Sequence, residues 1–182
     1  MNEPKRAVFL LSLVSFIWAF SFGLIKNTLA GIDPVFLAFA RLALACAVLL
    51  PFLRPGRISR SEAVVYVCLG GVQYGMMYLL LFQAFRYLQA YEVVLFTLLT
   101  PLYIDLLDEV RRRRIRSESV IAVCLAVLGA GVIKFQSPQS EHWWVGFLIM
   151  QGANLCFGGG QLAYRLVRRN RRSVKDRHIF GW

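Results

Sequence analysis

Three carboxylates run directly into a block of arginines in the stretch DLLDEVRRRRIR, residues 105–116. Asp105, Asp108 and Glu109 share one face of a helix, and such a face could hold Mg²⁺ for phosphate chemistry. Two observations weigh against a metal site: the arginines can neutralise the acids, and the sequence offers no second acidic cluster to face them. The arginines could bind nucleic acid or a regulatory protein, or they could orient membrane helices and touch anionic lipid.

A second group of polar residues lies inside long apolar stretches. Arg41 comes seven residues after Pro34, about 10 Å along a helix. A cation at that depth favours a cavity or a carboxylate, although structural pairing and snorkelling to the membrane surface are alternatives. Polar and small residues also follow a spacing of three, four and three along one helical face, at Gln151, Asn154, Gly158 and Gln161.

Aromatic residues add to this polar set. The sequence predicts an aromatic-lined pocket for a small organic molecule, with walls formed by Trp18, Arg41, Tyr74, Tyr78, Gln151 and Asn154. For the aromatic residues, ordinary packing between helices is the alternative.

Hydropathy predicts the elements that carry these residues, because 58% of the 182 residues are hydrophobic. A helix needs about 18–20 apolar residues to cross a bilayer, and the lack of water in lipid requires spans of this kind to be helices. Six stretches reach or approach that length: 7–25, 35–53, 63–85, 88–107, 119–133 and 143–164. We therefore predict an all-α, polytopic transmembrane bundle of about six helices.

The cations are concentrated in alternate loops between these predicted spans. Of 21 lysines and arginines, 17 lie in the N-terminus, at 54–60, at 111–116 or after residue 164, and three lie in the other loops. Cytoplasmic loops accumulate Lys and Arg. The distribution predicts a cytoplasmic N-terminus in the cytoplasmic (inner) membrane, and it favours helix orientation and lipid contact over nucleic-acid binding for residues 111–116.

Small residues are spaced for close packing of membrane helices. They occur at Ser15, Ala19 and Gly23, at Ala122, Ala126 and Ala130, and at Gly71 and Gly75. Pro101 is predicted to interrupt the fourth span, and the three glycines at 158–160 to loosen the sixth, as in helices that line a cavity. A weak internal repeat relates WAFSFGLIK, residues 18–26, to FGGGQLAYR, residues 157–165, in the opposite orientation.

Several motifs occur together along essentially the whole chain. They are FIWAFSFGLIK in the first span, Asp33-Pro34 and Phe39-Ala40-Arg41 in the second, FQAFRYLQAYEVVLFTLLTPLYIDLLDE across the third and fourth, and LAVLGAGVI in the fifth. In combination they resemble the EamA-like group of the drug/metabolite transporter superfamily, with Pro101 at the helix-breaking proline and Glu109 at the acid closing the fourth helix. The resemblance implies ten helices in two inverted halves, a central cavity, and movement of small metabolites by alternating access.

This resemblance sets the expected domain organisation. Residues 1–135 are expected to form a first five-helix repeat, and residues 136–182 the sixth helix and basic cytoplasmic tail of a truncated second repeat. A second chain or the missing C-terminal half would then complete the bundle. Pro101, Glu109 and Gly158 are expected to be structural or gating positions.

The predicted function is membrane transport, with export of small metabolites such as amino acids or amphipathic compounds as the expected activity. The alternative is a noncatalytic scaffold or assembly subunit that oligomerises through the glycine and alanine faces. The sequence has neither an HExxH motif nor a phosphate-binding glycine loop, so we expect no enzyme and no cofactor. The expected partners are a small solute and membrane lipid, and not nucleic acid.

Overall fold

The computed structural model describes residues 3–28, 31–52, 59–136 and 142–169, and within these ranges the chain is helical with no strand. The helices are α1 (Glu3–Thr28), α2 (Pro34–Leu49) with a 3₁₀ turn at Leu50–Phe52, α3 (Arg60–Gly70), a π-helical segment (Gly71–Met76), α4 (Met77–Ala84), α5 (Ala90–Thr97), α6 (Thr100–Arg112), α7 (Ser117–Gln136) and α8 (Trp143–Arg169). The prediction of an all-α bundle is confirmed. Each of the six predicted spans corresponds to one helix or to two or three consecutive helical segments.

Polar residues fix the starts of two helices. The Asp33 carboxylate accepts hydrogen bonds from the backbone N–H groups of Val35 and Phe36, at 2.9 and 3.1 Å, and Pro34 occupies the first turn of α2. Ser59 and Glu62 form a reciprocal pair at the start of α3, each side chain accepting from the other's backbone N–H. Such caps satisfy N–H groups that a helix start leaves without partners.

The third predicted span forms one continuous helix from Arg60 to Ala84, in which the π-helical segment joins α3 to α4. The hydropathy pattern did not predict that segment. Within the described ranges, this is the one helix long and apolar enough, by length and composition, to cross a membrane. Shorter apolar helical stretches occur at Ala7–Ser21, Pro34–Leu49 and Ser117–Val132.

The fourth predicted span is broken in two immediately before Pro101. Helix α5 ends at Thr97, and α6 starts at Thr100 with Pro101 in its first turn. Proline has no N–H to donate, so a helix cannot run through this position with all of its backbone bonds intact. At its other end α6 closes on Arg113, which adopts a left-handed conformation with φ of 53°.

Helix α8 packs against α3, the π-helical segment, α4, α5 and α6. Two of its glycines explain how closely it approaches them. A Cβ on Gly160 would lie 2.5 Å from Cβ of Gln73, and a Cβ on Gly146 would lie 2.6 Å from Cβ of Tyr87. Small residues therefore determine the packing distance on two sides of α8.

One expectation about glycines is wrong, and the predicted GxxxG pair has no close partner among the described residues. Residues 158–160 do not loosen the sixth span, because α8 is unbroken from Trp143 to Arg169. A Cβ on Gly71 or Gly75 would meet nothing within 4 Å, so the predicted GxxxG pair makes no close helix contact among the described residues.

The burial pattern differs from that of a water-soluble protein, because large apolar side chains cover the exterior as well as the core. Large apolar side chains point outward, with Phe16 73%, Leu44 70% and Leu128 66% exposed on α1, α2 and α7. Glu92 and Asn154 are buried, at 1% and 2% exposure. An extensive apolar exterior around buried polar groups is suited to lipid rather than to water.

Basic residues from three elements lie at one end of the bundle. Helix α3 begins at Arg60, and the ring of Tyr66, six residues later, is 6.3 Å from the ring of Tyr164, near the end of α8. The end of α6 and the end of α8 line a common cavity, to which Arg111 and Arg165 belong. The starts of α5 and α8 meet at the opposite end, where Trp143 contacts Glu92.

Candidate functional site

Arg41 lies in the middle of α2 and faces two neighbouring helices. Its guanidinium carbon is 4.8 Å from the ring centroid of Tyr78 on α4, and Nη1 donates to Oγ of Ser21 on α1 at 3.4 Å. Tyr78 in turn stacks on Phe82, with the ring centroids 5.9 Å apart. The structure thus brings together two of the predicted site residues, Arg41 and Tyr78, in a cation–π contact.

The Arg41 guanidinium forms no ion pair with a carboxylate among the described residues. A cation inside an apolar helix is costly unless it is paired or reaches water. The aromatic face of Tyr78 and the hydroxyl of Ser21 offset part of that cost without neutralising the charge. This arrangement leaves Arg41 able to accept an anionic group from a ligand.

A second polar group is formed where α8 passes α6. The Tyr103 hydroxyl donates to Oε1 of Gln151 at 2.9 Å, and Thr100 Oγ1 donates to Oδ1 of Asn154 at 3.2 Å. Asn154 Nδ2 is also 3.3 Å from Gln151 Oε1, so the two amides are in contact. Gln151 and Asn154, predicted from their spacing to share a face, both point towards α6.

Asn154 also contacts the break between α5 and α6. Its Nδ2 donates to the backbone carbonyl of Phe96 at 2.9 Å, one residue before α5 ends. Backbone groups released by a broken helix require partners when they are buried. The polar side chain on α8 therefore supports the break next to Pro101.

The amide of Gln151 has an unused donor. Its Nε2 is buried and has no hydrogen-bond partner among the described residues. A buried donor without a partner costs about 1–3 kcal/mol. It could be satisfied by a ligand carbonyl or carboxylate oxygen.

The other predicted site residues in the bundle make contacts of their own. Tyr74, in the π-helical segment, packs edge-on against Phe157 of α8, with the ring centroids 6.2 Å apart. Trp18 on α1 is 50% exposed. Gly158 packs against α6, where an added Cβ would lie 3.3 Å from Cβ of Tyr103.

A buried contact that the sequence did not predict joins α5 to α8. Trp143 Nε1 donates to Oε1 of Glu92 at 2.6 Å, and the backbone N–H of Gln89 donates to Oε2 of Glu92 at 2.6 Å. Trp143 also packs against Phe96 and Phe147. The sequence signal for part of this contact was the spacing of Gln89 and Glu92, because a Glu three residues after the residue that caps a helix commonly accepts from that residue's backbone N–H.

The acids at the end of α6 do not converge on a metal site. Asp108 accepts from Arg111 and Arg112, whereas Glu109 accepts from Arg116 Nε at 2.9 Å and from Ser119 Oγ at 2.6 Å. The expectation that these acids share one face is therefore wrong for Asp108 and Glu109, which turn to different partners. No metal-binding group of acids, histidines or cysteines occurs in the described ranges.

Glu109 instead joins the end of α6 to the start of α7. The hydrogen bond from Ser119 is the largest influence on its carboxyl and lowers its pKa, assisted by Arg116 and opposed by burial. The pKa of Asp108 is lowered chiefly by the hydrogen bond from Arg111. Both carboxylates are therefore ionised at neutral pH.

Comparison with known proteins identifies the family. The EamA-like transporter family matches residues 5–135. Over 175 residues, 95% of this chain, the sequence is 39% identical to the biotin transporter of Salmonella typhimurium and 38% identical to that of Escherichia coli strain K12, and it covers 58% of each. Over 174 residues it is 37% identical to the "Probable biotin transporter" of Pseudomonas aeruginosa, of which it covers 60%.

This chain thus spans about three-fifths of the length of these relatives. No solved structure matches it significantly. The expected absence of enzymatic activity agrees with a family and relatives that are named transporters. The motifs, the helical bundle and the family match lead to one conclusion: the chain belongs to the EamA-like transporter family of integral membrane proteins.

Proposed function

We propose that this chain forms part of a transporter for small organic solutes that carry a carboxylate, with biotin as the first solute to test. The observation that carries the proposal is Arg41, a cation within an apolar helix and without a carboxylate partner in the described residues. The biotin transporters among its relatives support the choice of solute. Biotin combines one carboxylate with a compact ring system.

Gln151 provides a second contact in this proposal. It lies eight residues into α8 and Arg41 seven residues into α2, so each is about 10–12 Å along its helix. Helix α4 packs against both α2 and α8. The unsatisfied Nε2 of Gln151 would donate to a polar oxygen on the ring of the solute, with Asn154, Tyr74, Tyr78 and Trp18 lining the route.

Alternating access requires elements that can change their relative positions. The break before Pro101 is the proposed site of movement in the α5–α6 pair, since two turn hydrogen bonds, from Leu98 to Leu95 and from Leu99 to Phe96, replace the regular α-helical bonds there, together with the bond from Asn154. Gly158 permits α8 to slide along α6, and Glu109 keeps α6 attached to α7. These are the proposed gating roles of the three residues.

The proposed location is the cytoplasmic (inner) membrane, with the N-terminus in the cytoplasm. The common position of the basic ends of α6 and α8 supports this orientation, because cations accumulate on the cytoplasmic side. The proposed domain division stays at residue 135, with α8 opening a second, inverted repeat. Since the relatives are longer, helices beyond α8 or a second chain would complete the pathway.

Flux of radiolabelled biotin in membrane vesicles containing the complete gene product tests this function. Arg41→Gln should reduce biotin flux about tenfold to 100-fold, since a charge-assisted hydrogen bond contributes about 1.5–3 kcal/mol. Arg86→Gln is the matched control, because it removes an exposed cation from the loop after α4 and should leave flux unchanged. Supplying the biotin either inside or outside the vesicles measures the direction of transport, which the sequence predicts to be export.

Equal flux in the Arg41 variant and the wild type would overturn the proposed site. No flux of biotin or of other small carboxylates, by correctly inserted protein, would overturn transport and favour the scaffold alternative.

A further inference from the structure

A basic cavity of about 560 Å³ opens between the ends of α6 and α8. Five arginines and one aspartate are among its lining residues, so the charged groups give a net charge of +4. The charged residues are Asp108, Arg111, Arg112, Arg165, Arg168 and Arg169. The proposed solute contacts do not include any of them.

The α6 side of this basic cavity is ordered by a single carboxylate. Asp108 Oδ1 accepts from Nη2 of Arg111 at 2.8 Å, and Oδ2 accepts from Nε of Arg112 at 2.8 Å. Both oxygens of Asp108 are thus engaged, which weakens their repulsion of a bound anion. Each guanidinium keeps further N–H groups that can donate to a ligand.

The α8 side supplies further arginines, of which Arg165 and Arg169 are the two on which the inference rests. Gln161, Arg165 and Arg168 follow a spacing of four and three, which places them along one face of the helix. Arg165 and Arg169 are exposed, and neither forms an ion pair within the described ranges. Guanidinium groups bind phosphate with paired, charge-assisted hydrogen bonds.

Apolar groups lie beside these cations in the same cavity. Leu162, Leu166 and Tyr164 contribute to the lining, and Leu162 is 7% exposed. A soluble phosphate compound would need only the arginines, whereas a phospholipid offers a phosphate attached to an apolar glycerol ester. The volume lies within the range of about 300–1,000 Å³ that is usual for ligand sites.

We propose that this cavity binds the phosphate group of an anionic phospholipid at the membrane surface. Basic pockets between membrane helices on the cytoplasmic side are suited to such headgroups. The orientation of membrane helices by positive charge would explain the number of arginines. It would not explain why arginines from two helices line one concave site with apolar groups between them. The inference depends on the membrane location of the chain and not on Arg41 or on the identity of the solute.

Native mass spectrometry of the purified full chain in a neutral detergent tests this inference, with phosphatidylglycerol as the probe. Arg165→Gln together with Arg169→Gln should weaken phosphatidylglycerol binding by about tenfold or more. The matched control is Arg113→Gln with Arg114→Gln, which removes the same charge from the loop after α6, outside the cavity, and should weaken binding by less than about threefold.

A charge-preserving variant guards against loss of folding. Arg165→Lys with Arg169→Lys keeps the net charge but removes the paired donors, so it should weaken binding by about threefold, with circular dichroism checking helix content. Equal losses in the cavity and control variants would overturn the inference. Binding of glycerol 3-phosphate as tight as that of phosphatidylglycerol would assign the cavity to soluble phosphates instead, and equal binding of phosphatidylcholine would exclude recognition of an anionic headgroup.

Discussion

The indole N–H of Trp143 donates to the carboxylate of Glu92 at 2.6 Å, and each of these two residues is only 1% exposed. The contact joins the first turn of α8 to the first turn of α5. Both oxygens of the carboxylate are engaged, since Gln89 donates to the other. A buried carboxylate is tolerated only when such donors are present.

Trp143→Phe should therefore destabilise the protein by about 1–3 kcal/mol, because it removes a donor from a buried carboxylate while keeping an aromatic ring. Chemical unfolding in detergent, followed by circular dichroism, measures this free energy. Trp144→Phe is the control at the adjacent position, where the side chain is 59% exposed, and it should change stability by less than about 0.5 kcal/mol. Similar effects in the two variants would contradict the importance of the Glu92 contact.

Gly160→Ala should destabilise the packing of α8 on the π-helical segment by about 1–3 kcal/mol, because overpacking forces the backbones apart. The added Cβ would lie 2.5 Å from Cβ of Gln73, an atom close to the backbone that cannot rotate away. Gly129→Ala in α7 is the control, since nothing lies within 4 Å of its added Cβ. Thermal unfolding midpoints distinguish the two, and the control should be neutral or slightly stabilised by its higher helix propensity.

Glu109 should make stability depend on pH in the acidic range. Its folded pKa is lowered, first by Ser119, so its contribution is complete above the ordinary glutamate value of about 4.3 and is lost as pH falls through the folded pKa. Ser119→Ala should reduce this contribution by bringing the folded pKa closer to the unfolded one. As the pH falls through the acidic range, the free energy of unfolding should decrease more steeply in the wild type than in Glu109→Gln. Glu118→Gln, at a position 79% exposed, should retain the wild-type slope.

Tyr103 and Gln151 should be energetically coupled, since the hydroxyl donates to the amide oxygen at 2.9 Å. A double-mutant cycle with Tyr103→Phe and Gln151→Leu should give a coupling energy of about 0.5–1.5 kcal/mol. The control cycle combines Tyr66→Phe with Gln151→Leu. Tyr66 packs on Tyr164, which is about 20 Å from Gln151 along α8, and the two changes should be additive. A coupling of zero for Tyr103 and Gln151 would mean that their hydrogen bond does not contribute to stability.

The sequence predicted local features of this fold well. Hydropathy located six helical stretches, and Pro101, without an N–H, coincides with the break between α5 and α6. The regular spacing of Gln151 and Asn154 predicted that they share a face of α8. These features depend on the chain near each residue, which is why a single sequence reveals them.

Long-range partners were not predictable in the same way. Periodicity assigns a residue to a helix face, but it does not say which helix that face meets. The ring contact of Tyr74 with Phe157 on α8 is an example, because the spacing of Tyr74 and Tyr78 on their own helix gives no sign of it. Glycines 158–160 were expected to loosen α8, whereas an unbroken α8 brings Gly160 against Gln73. Glu92 and Trp143 are 51 residues apart in the sequence. The sequence indicates that Glu92 lies at a helix start, but it does not indicate that Trp143 is its partner.

Binding measurements can isolate the charge that Arg41 is proposed to recognise. Equilibrium binding of biotin and of biotin amide, which differ by one negative charge, should be measured for the complete gene product and for Arg41→Gln. We expect the wild type to bind biotin about tenfold or more tightly than the amide, and Arg41→Gln to remove this preference while leaving amide binding unchanged. A preference of the same size in both proteins would show that another residue receives the carboxylate, and would contradict the central role of Arg41.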